Sequence, residues 1–419
     1  MAETNADRRE RVGELVRIAE TDPTALDDHT EELRTYLAAD SEYVRRLTAR
    51  AVARLSGADA SSVVPLVDAL AEGLSDEAAQ DDAASALGHV AEEEPGAVMA
   101  ELAALVAALD GGGGVLVPAS GTLASLASSD AETLAQPGIL DRLYDLLSNE
   151  RPAVRGNAAA ALADIAAVDA TAVCSGADDL RARLDDDDAS VRRDAAVALG
   201  TAAPTCPDAV VATVPRLHTL LDDPDEGVRA GAAYALGHAL RAEGDGQRTV
   251  EVLLDAIDDG AATVRQHATF ALASLAAEDT DLVRPGVDAI ARRTVDESAA
   301  VRQNTRSALA AIEDDYQTVV TETLEDVRTE LEAVDEEAGT VPYTAAELRG
   351  LAEDDDAPAD QRAAADHALA LVESGAVSPA STTDELADPD DDGHRFCPNC
   401  GETIEAGGEF CPACGTTIE

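Results

Sequence analysis

Four of the six cysteines in this 419-residue chain fall between positions 397 and 414, in a spacing that few chemistries require. Cys397, Pro398, Asn399, Cys400 and Gly401 form one C-x-x-C-G turn, and Cys411, Pro412, Ala413, Cys414 and Gly415 form another. Ten residues separate Cys400 from Cys411. Two such turns place four thiolates around one tetrahedral ion, and a site filled by four cysteines is closed and structural, as for zinc. Each glycine permits the tight turn that points backbone N–H groups at sulfur. Phe396 and Phe410 precede the turns, two of only three phenylalanines in the chain, and are expected to form a miniature apolar core. So short a segment cannot fold on hydrophobic burial alone, so the metal supplies the folding energy, about 10–16 kcal/mol for sites of this kind. A redox dithiol pair or disulfides are the competing chemistry for these thiols.

Other reactive residue types are scattered. Cys174 and Cys206 have no C-x-x-C partner and read as small core or turn residues. None of the seven histidines is followed by glutamate; His89, His218 and His238 read as helix-surface or packing residues. Asp388, Asp390, Asp392 and Gly393 imitate the start of a calcium loop, but the twelfth position is Asn399, so the segment reads as an acidic linker. The run Gly111–Gly114 lacks a following Lys-Ser or Lys-Thr and does not read as a phosphate cradle.

The elements that would carry these residues follow from a recurring string, Val-Arg-x-x-Ala-x-x-Ala-Leu. Clear copies begin at Val154, Val191, Val228, Val264 and Val301, and looser ones at Val44, Ala79 and Val115, a mean period of about 37 residues. Eight positions after each start stand Val52, Leu87, Leu123, Leu162, Leu199, Leu236, Leu272 and Leu309; one position earlier every residue is small. Offsets 0, +4, +7 and +8 share one face of an α-helix, so each unit carries an apolar stripe that only a neighbouring unit can bury. A second apolar segment precedes each start, such as Val210, Val214, Leu217 and Leu221 before Val228.

Acids three or four residues ahead of the starts (Asp40, Glu150, Asp187, Asp225, Glu297) are placed to cap the incoming helix. The arginine at offset +1 (Arg45, Arg155, Arg192, Arg229, Arg265, Arg302) is placed to meet an acid of its own or the next unit, forming a ladder. The third unit departs from the pattern: Leu116 replaces arginine, and Pro118 and Gly121 fall inside the expected helix, which predicts a hinge.

These residues resemble the HEAT repeat family, in particular the short form named for phycobilisome lyases, over residues 34 to about 333. The resemblance implies an all-α fold, an α-solenoid of about eight to nine helical hairpins, and a surface for binding proteins. The C-terminal cysteines resemble short zinc-ribbon modules; rubredoxin-like iron sites use similar turns but space them much more widely. Two HEAT-containing enzyme families bear on activity. Deoxyhypusine hydroxylases bind di-iron through His-Glu dipeptides, absent from this sequence. Nothing beyond the repeat supports bilin-lyase chemistry.

Composition sets the remaining bounds. There are 84 acidic against 30 basic residues, a net charge of −54, and every basic residue is arginine. Such charge drives self-repulsion that molar salt screens to roughly 3 Å, which predicts a halophilic, archaeal protein. The 46% apolar content in a regular stripe argues against disorder. No apolar run approaches the roughly 20 residues of a membrane span, and residues 1–20 lack a signal-peptide pattern, so a soluble cytoplasmic monomer is expected. The organisation reads as a capping helix (1–33), a HEAT solenoid (34–333), a degenerate repeat or cap (334–374), an acidic flexible linker (375–394) and a zinc ribbon (395–419). The functional expectation is a non-catalytic scaffold for a protein partner with a basic or arginine-bearing surface. One structural Zn2+ is expected at Cys397, Cys400, Cys411 and Cys414. The alternatives are a nucleic-acid-associated factor acting through the ribbon, and a HEAT-type lyase or hydroxylase. Residues 395–419 hold one Arg and four Glu, which speaks against a nucleic-acid footprint.

Overall fold

Small residues at offset +7 and branched apolar ones at +8 dictate long helices that stack on one another. The computed structural model describes residues 5–111, 113–239, 246–312, 323, 325–331, 341, 343–353, 359–374 and 377–379, with the backbone of 395–396 and 403–404. After an N-terminal helix α1 (Asn5–Thr21) come the long repeat helices α2 (Glu42–Ala58), α3 (Gln80–Glu93), α4 (Leu116–Leu134), α5 (Pro152–Val168), α6 (Ala189–Ala202), α7 (Glu226–Ala239), α8 (Ala262–Glu278) and α9 (Ala299–Ile312). A final pair follows, α10 (Ala345–Ala352) and α11 (Ala359–Glu373). The fold is an all-α helical repeat solenoid. Among the described residues no helix is long and apolar enough to cross a membrane.

The chain divides into two units, Met1–Ile257 with His267–Arg284, and Asp258–Gln266 with Pro285–Glu419. Within the first, α2 to α7 pack each on the next, and α1 covers α2. Val52, Leu87, Leu123, Leu162, Leu199 and Leu236 are fully buried. Two glycines set the closest approaches: a Cβ on Gly200 would lie 2.6 Å from Ala235 Cα, and one on Gly237 would lie 3.0 Å from Ala271 Cα. Within the second unit, Val295, Val327, Leu331, Leu348, Leu351 and Ala365 belong to one core, with α10 packed on α11.

The second limb of most repeats is broken into two short helices, where a plain hairpin would have one; after α7 the described limb is the single helix Gly246–Ala256. After α5, Asp169 leaves the helical conformation (φ −138°, ψ 81°) and its side chain accepts from Ala172 N–H, starting the short helix Ala170–Cys174 ahead of Ala177–Arg183. Asp279 does the same for Leu282. In α4 the break falls at Asp130 (φ −147°, ψ 70°), whose carboxylate accepts from Thr133 N–H. These aspartates satisfy N–H groups that the chain reversal leaves without helical partners.

The expected arginine ladder is present, and its acids lie one layer on. Arg45 Nε reaches Asp76 at 2.5 Å, Arg155 Nη2 reaches Asp186 at 2.6 Å and Arg192 Nη2 reaches Asp223 at 2.9 Å; in the second unit Arg265 Nε reaches Asp296 at 2.8 Å. Each rung spans 31 residues. The same guanidiniums donate through Nη1 to two carbonyls of the turn before their own helix, as Arg192 does to Asp186 and Asp187. Each acid also accepts the N–H two residues on, closing its turn: Ala78 to Asp76, Asp188 to Asp186, Asp225 to Asp223, Ser298 to Asp296. Where Leu116 replaces the arginine, the corresponding turn residue is Asn149, which keeps the turn bond to Arg151 N–H at 3.0 Å and carries no charge.

Most of the expected caps are corrected. Asp225 caps α7 through Val228 N–H, but α6 is capped by Asp188 and not by Asp187. At α2 and α5 the N-cap residues are Ser41 and Arg151, so Asp40 and Glu150 do not cap; Glu297 binds Arg265 instead. A cap must occupy the extended residue immediately before the first turn, and these acids lie one position too early. The third-unit helix forms despite its composition because Pro118 falls in the first turn of α4, where the missing N–H has no helical acceptor to lose. Gly113 takes φ +71° just ahead of it.

Candidate functional site

With the apolar stripe buried and the offset +1 arginines engaged, the open face of each long helix is left to offsets +2, +3, +6 and +10. On α2 these positions hold Arg46, Arg50 and Arg54. Arg46 and Arg9 both lie against the Tyr43 ring, 5.9 and 5.5 Å from its centroid. On α3 they hold Asp82, pushed up by burial against nearby Arg50 and Arg54, and His89, whose Nδ1 meets Ser56 Oγ at 2.9 Å.

Further along, Asp164 of α5 and Asp194 of α6 face the same side. Burial raises both, and each is raised further by a neighbouring carboxylate: Asp194 acts on Asp164, and Asp188 on Asp194. Asp194 is partly compensated by Arg193, at 2.8 Å. On α7 and α8 the face becomes aromatic. Tyr234 packs on His238 with centroids 4.6 Å apart and meets His267 edge-on at 5.5 Å; His238 lies 5.7 Å from Phe270. The Tyr234 hydroxyl also contacts Thr201 Oγ1 at 3.2 Å. Burial lowers the His267 pKa, so its ring is a neutral surface.

Histidines were expected to be surface or packing residues. His218 meets Thr249 at 2.8 Å, whereas His238 and His267 converge with two aromatic rings on adjacent helices. That convergence was readable only in part: Tyr234 and Phe270 both occupy offset +6, and His238 lies four residues after Tyr234. Among the described residues no cluster of His, Cys, Asp and Glu could hold a metal. In the second unit a cavity of about 440 Å³ is lined by Arg292, Arg293, Glu330, Tyr343 and Glu347 among others; Tyr343 donates to Glu330 at 2.6 Å, and burial pushes its phenol up.

Cys174 and Cys206, read as small core or turn residues, stand at the end of one short helix and at the N-cap of another, and they are linked, which their spacing did not announce. They form a disulfide with Cα atoms 5.8 Å apart, joining neighbouring repeats across 32 residues. That separation is one layer step, almost the 31 residues of an Arg–Asp rung, so stacking brings the two cysteines together. The four predicted zinc ligands, Cys397, Cys400, Cys411 and Cys414, lie outside the described residues. The backbone around them shows a short antiparallel pair, β1 (Arg395–Phe396) and β2 (Thr403–Ile404), registered Arg395 to Ile404 and Phe396 to Thr403. The connection between these strands contains Cys397 and Cys400, and a hairpin that brings its ends together suits the first half of a four-cysteine zinc site.

A family model described as HEAT repeats matches residues 177–273, and one described as a zinc-ribbon domain matches residues 396–418, which include all four cysteines. The chain is a HEAT-repeat protein with a C-terminal zinc-ribbon domain. A third model, described as non-SMC mitotic condensation complex subunit 1, matches residues 228–347 of this HEAT-repeat chain. No curated protein matches it. Among solved structures, an engineered protein is similar at 23% identity over 89% of this chain and 97% of that one, with a TM-score of 0.67, a likeness of fold. A second engineered protein (27% identity; 51% and 97% covered; TM-score 0.47) and a designed armadillo repeat protein (22%; 50% and 99%; 0.45) align with about half of the HEAT-repeat chain.

Proposed function

We propose that this protein is a non-catalytic scaffold that binds a protein partner along the open face of its long helices. The supporting observation is a division of labour on every such helix. One set of positions is the same in most repeats and is used for stacking: the buried Val, Ala and Leu, and the arginine of the ladder. A second set faces outward and differs from layer to layer: Arg50 on α2, Asp164 on α5, Tyr234 on α7, Phe270 on α8. A constant frame with a changing face suits recognition of an extended partner. HEAT repeats as a class mediate protein interactions, and the matched family description of a condensation complex subunit agrees with a role in an assembly.

The ribbon carries one structural zinc on Cys397, Cys400, Cys411 and Cys414 and acts as an auxiliary contact, raising local concentration at the partner. The protein is a monomer adapted to a salt-rich cytoplasm, where its charge of −54 is screened. The reading is tested by affinity purification at molar KCl, with and without residues 375–419, followed by reconstitution with the recovered protein. A stoichiometric complex from purified components supports the scaffold. Recovery of a small molecule turned over by the protein would refute it. Circular dichroism tests the salt adaptation: helical content is expected to fall between 2 M and about 0.1 M KCl, and an unchanged spectrum would count against it.

A further inference from the structure

The rings of Tyr234, His238, His267 and Phe270 form the principal aromatic feature among the described residues of a chain with no tryptophan and three phenylalanines. Phe270 is 37% exposed, a large share for a phenylalanine, and the other three rings are half-buried behind it. A Cβ on the buried Gly231 of α7 would lie 3.2 Å from the Arg193 carbonyl oxygen and 3.6 Å from Val197 of α6, so α7 packs closely on α6 there. One helix layer on, roughly 10 Å away, stands Asp194, and Asp164 stands on the layer beyond. Both carboxylates are kept in an environment that penalises their charge, with Arg193 the cation bound to Asp194.

We propose that the open face of α5 to α8 is a docking surface for an extended arginine-bearing segment of a protein partner. One guanidinium lies over the Tyr234–His238–His267–Phe270 rings, and another meets Asp164. This rests on the scaffold reading and gives the partner's chemistry. Charge complementarity selects the occupant: the face offers the half-buried Asp164 carboxylate and, on later layers, the negative faces of aromatic rings, and a guanidinium suits either. An extended chain advances about 3.3 Å per residue, so alternate side chains can reach successive features along the helix layers.

The test is fluorescence anisotropy with the full-length, zinc-loaded protein in 2 M KCl, where attraction by net charge alone is screened out. The probe is a capped, fluorescein-labelled twelve-residue peptide alternating arginine and serine. Saturable binding is expected, weakened about 5- to 30-fold by Phe270→Ala, which leaves charge and core untouched. Tyr234→Phe, which keeps the ring, should retain binding. Asp164→Asn should weaken it, and Asp141→Asn, at an exposed position of the helix Pro137–Leu146, should not. Equal affinity for Phe270→Ala, equal affinity for a peptide with norleucine in place of arginine, or no binding in 2 M KCl would overturn the proposal. So would a single-stranded RNA 12-mer that binds in the peptide's stead and loses affinity in Phe270→Ala. The two readings fail separately. A reconstituted partner complex indifferent to Phe270→Ala removes this docking site and leaves the scaffold, whereas ring-dependent peptide binding with no stoichiometric partner does the reverse.

Discussion

Arg155 and Asp186 meet through two parallel N–H···O bonds, Nε to Oδ2 at 2.7 Å and Nη2 to Oδ1 at 2.6 Å, with side chains only 12% and 3% exposed. Arg155 holds two carbonyls of its own turn, Asn149 and Glu150, and Asp186 holds the N–H of Asp188. The pair therefore ties one turn to the next while leaving few polar atoms without a bond.

Breaking such a rung should cost far more than breaking a surface pair. Asp186→Ala leaves a guanidinium in a buried turn and is expected to destabilise by about 3–5 kcal/mol. Asp68→Ala removes the acid of the exposed Arg34–Asp68 pair and should cost under about 1 kcal/mol. Urea unfolding at 2 M KCl measures both; similar losses would show that the rungs are ornamental.

The carboxylates on the two faces should respond to pH in opposite senses. The Arg45 guanidinium holds Asp76 below the usual carboxylate range. Its stabilising share is therefore complete above the unfolded value of about 3.9 and disappears as pH falls through the lower folded value. Asp164 is pushed up, chiefly by burial, so its share is complete below about 3.9 and is lost as pH rises through the folded value. Asp164→Asn should accordingly be more stable than the parent at pH 7, with the gap closing toward pH 3. A constant gap across that range would contradict the assignment.

Reduction of Cys174–Cys206 opens a link spanning 32 residues, and chain-entropy arguments put the loss at about 3–4 kcal/mol. Thermal melts with and without reductant should differ in the parent and coincide in a Cys174→Ser, Cys206→Ser double variant. Thiol titration of unreduced, metal-stripped, denatured protein should find the four ribbon cysteines reactive and these two silent.

Metal analysis should find one zinc per chain, lost in Cys400→Ser and Cys414→Ser. Because the ribbon folds on its metal while the repeats fold on packed leucines, chelation should leave the helical circular dichroism signal nearly unchanged. Less than about half an equivalent of zinc would undermine the four-cysteine site.

Hydrogen exchange should be fastest, within the long-helix layer, at residues 110–121. There Leu116 and Asn149 replace a rung, and Gly113 and Pro118 flank the start of α4. Protection equal to that of residues 191–199 would remove the hinge. Arg151 and Asn157 do reach back to this segment, bonding Gly113 and Val117 carbonyls at 2.5 and 3.3 Å, so the contrast is one of degree.

Much of the fold was legible because its cause is local. A stripe at offsets 0, +4, +7 and +8 can be buried only by a copy of itself, so Val154, Leu162, Leu199 and Leu236 announce both the helix and the stack. The spacing of the four ribbon cysteines marks the zinc-ribbon domain in the same way, since ligand geometry is short-range. Asp186 and Asp223 as the arginines' partners, the joining of Cys174 to Cys206, and the meeting of His238 with Phe270 all depend on how far one layer is displaced against the next. That displacement is set by close contacts such as Gly200 on Ala235. A periodic sequence specifies that neighbouring layers pack; which side chains from residues 31 to 37 apart then touch is decided by the crossing of whole helices, and only the tertiary structure shows it.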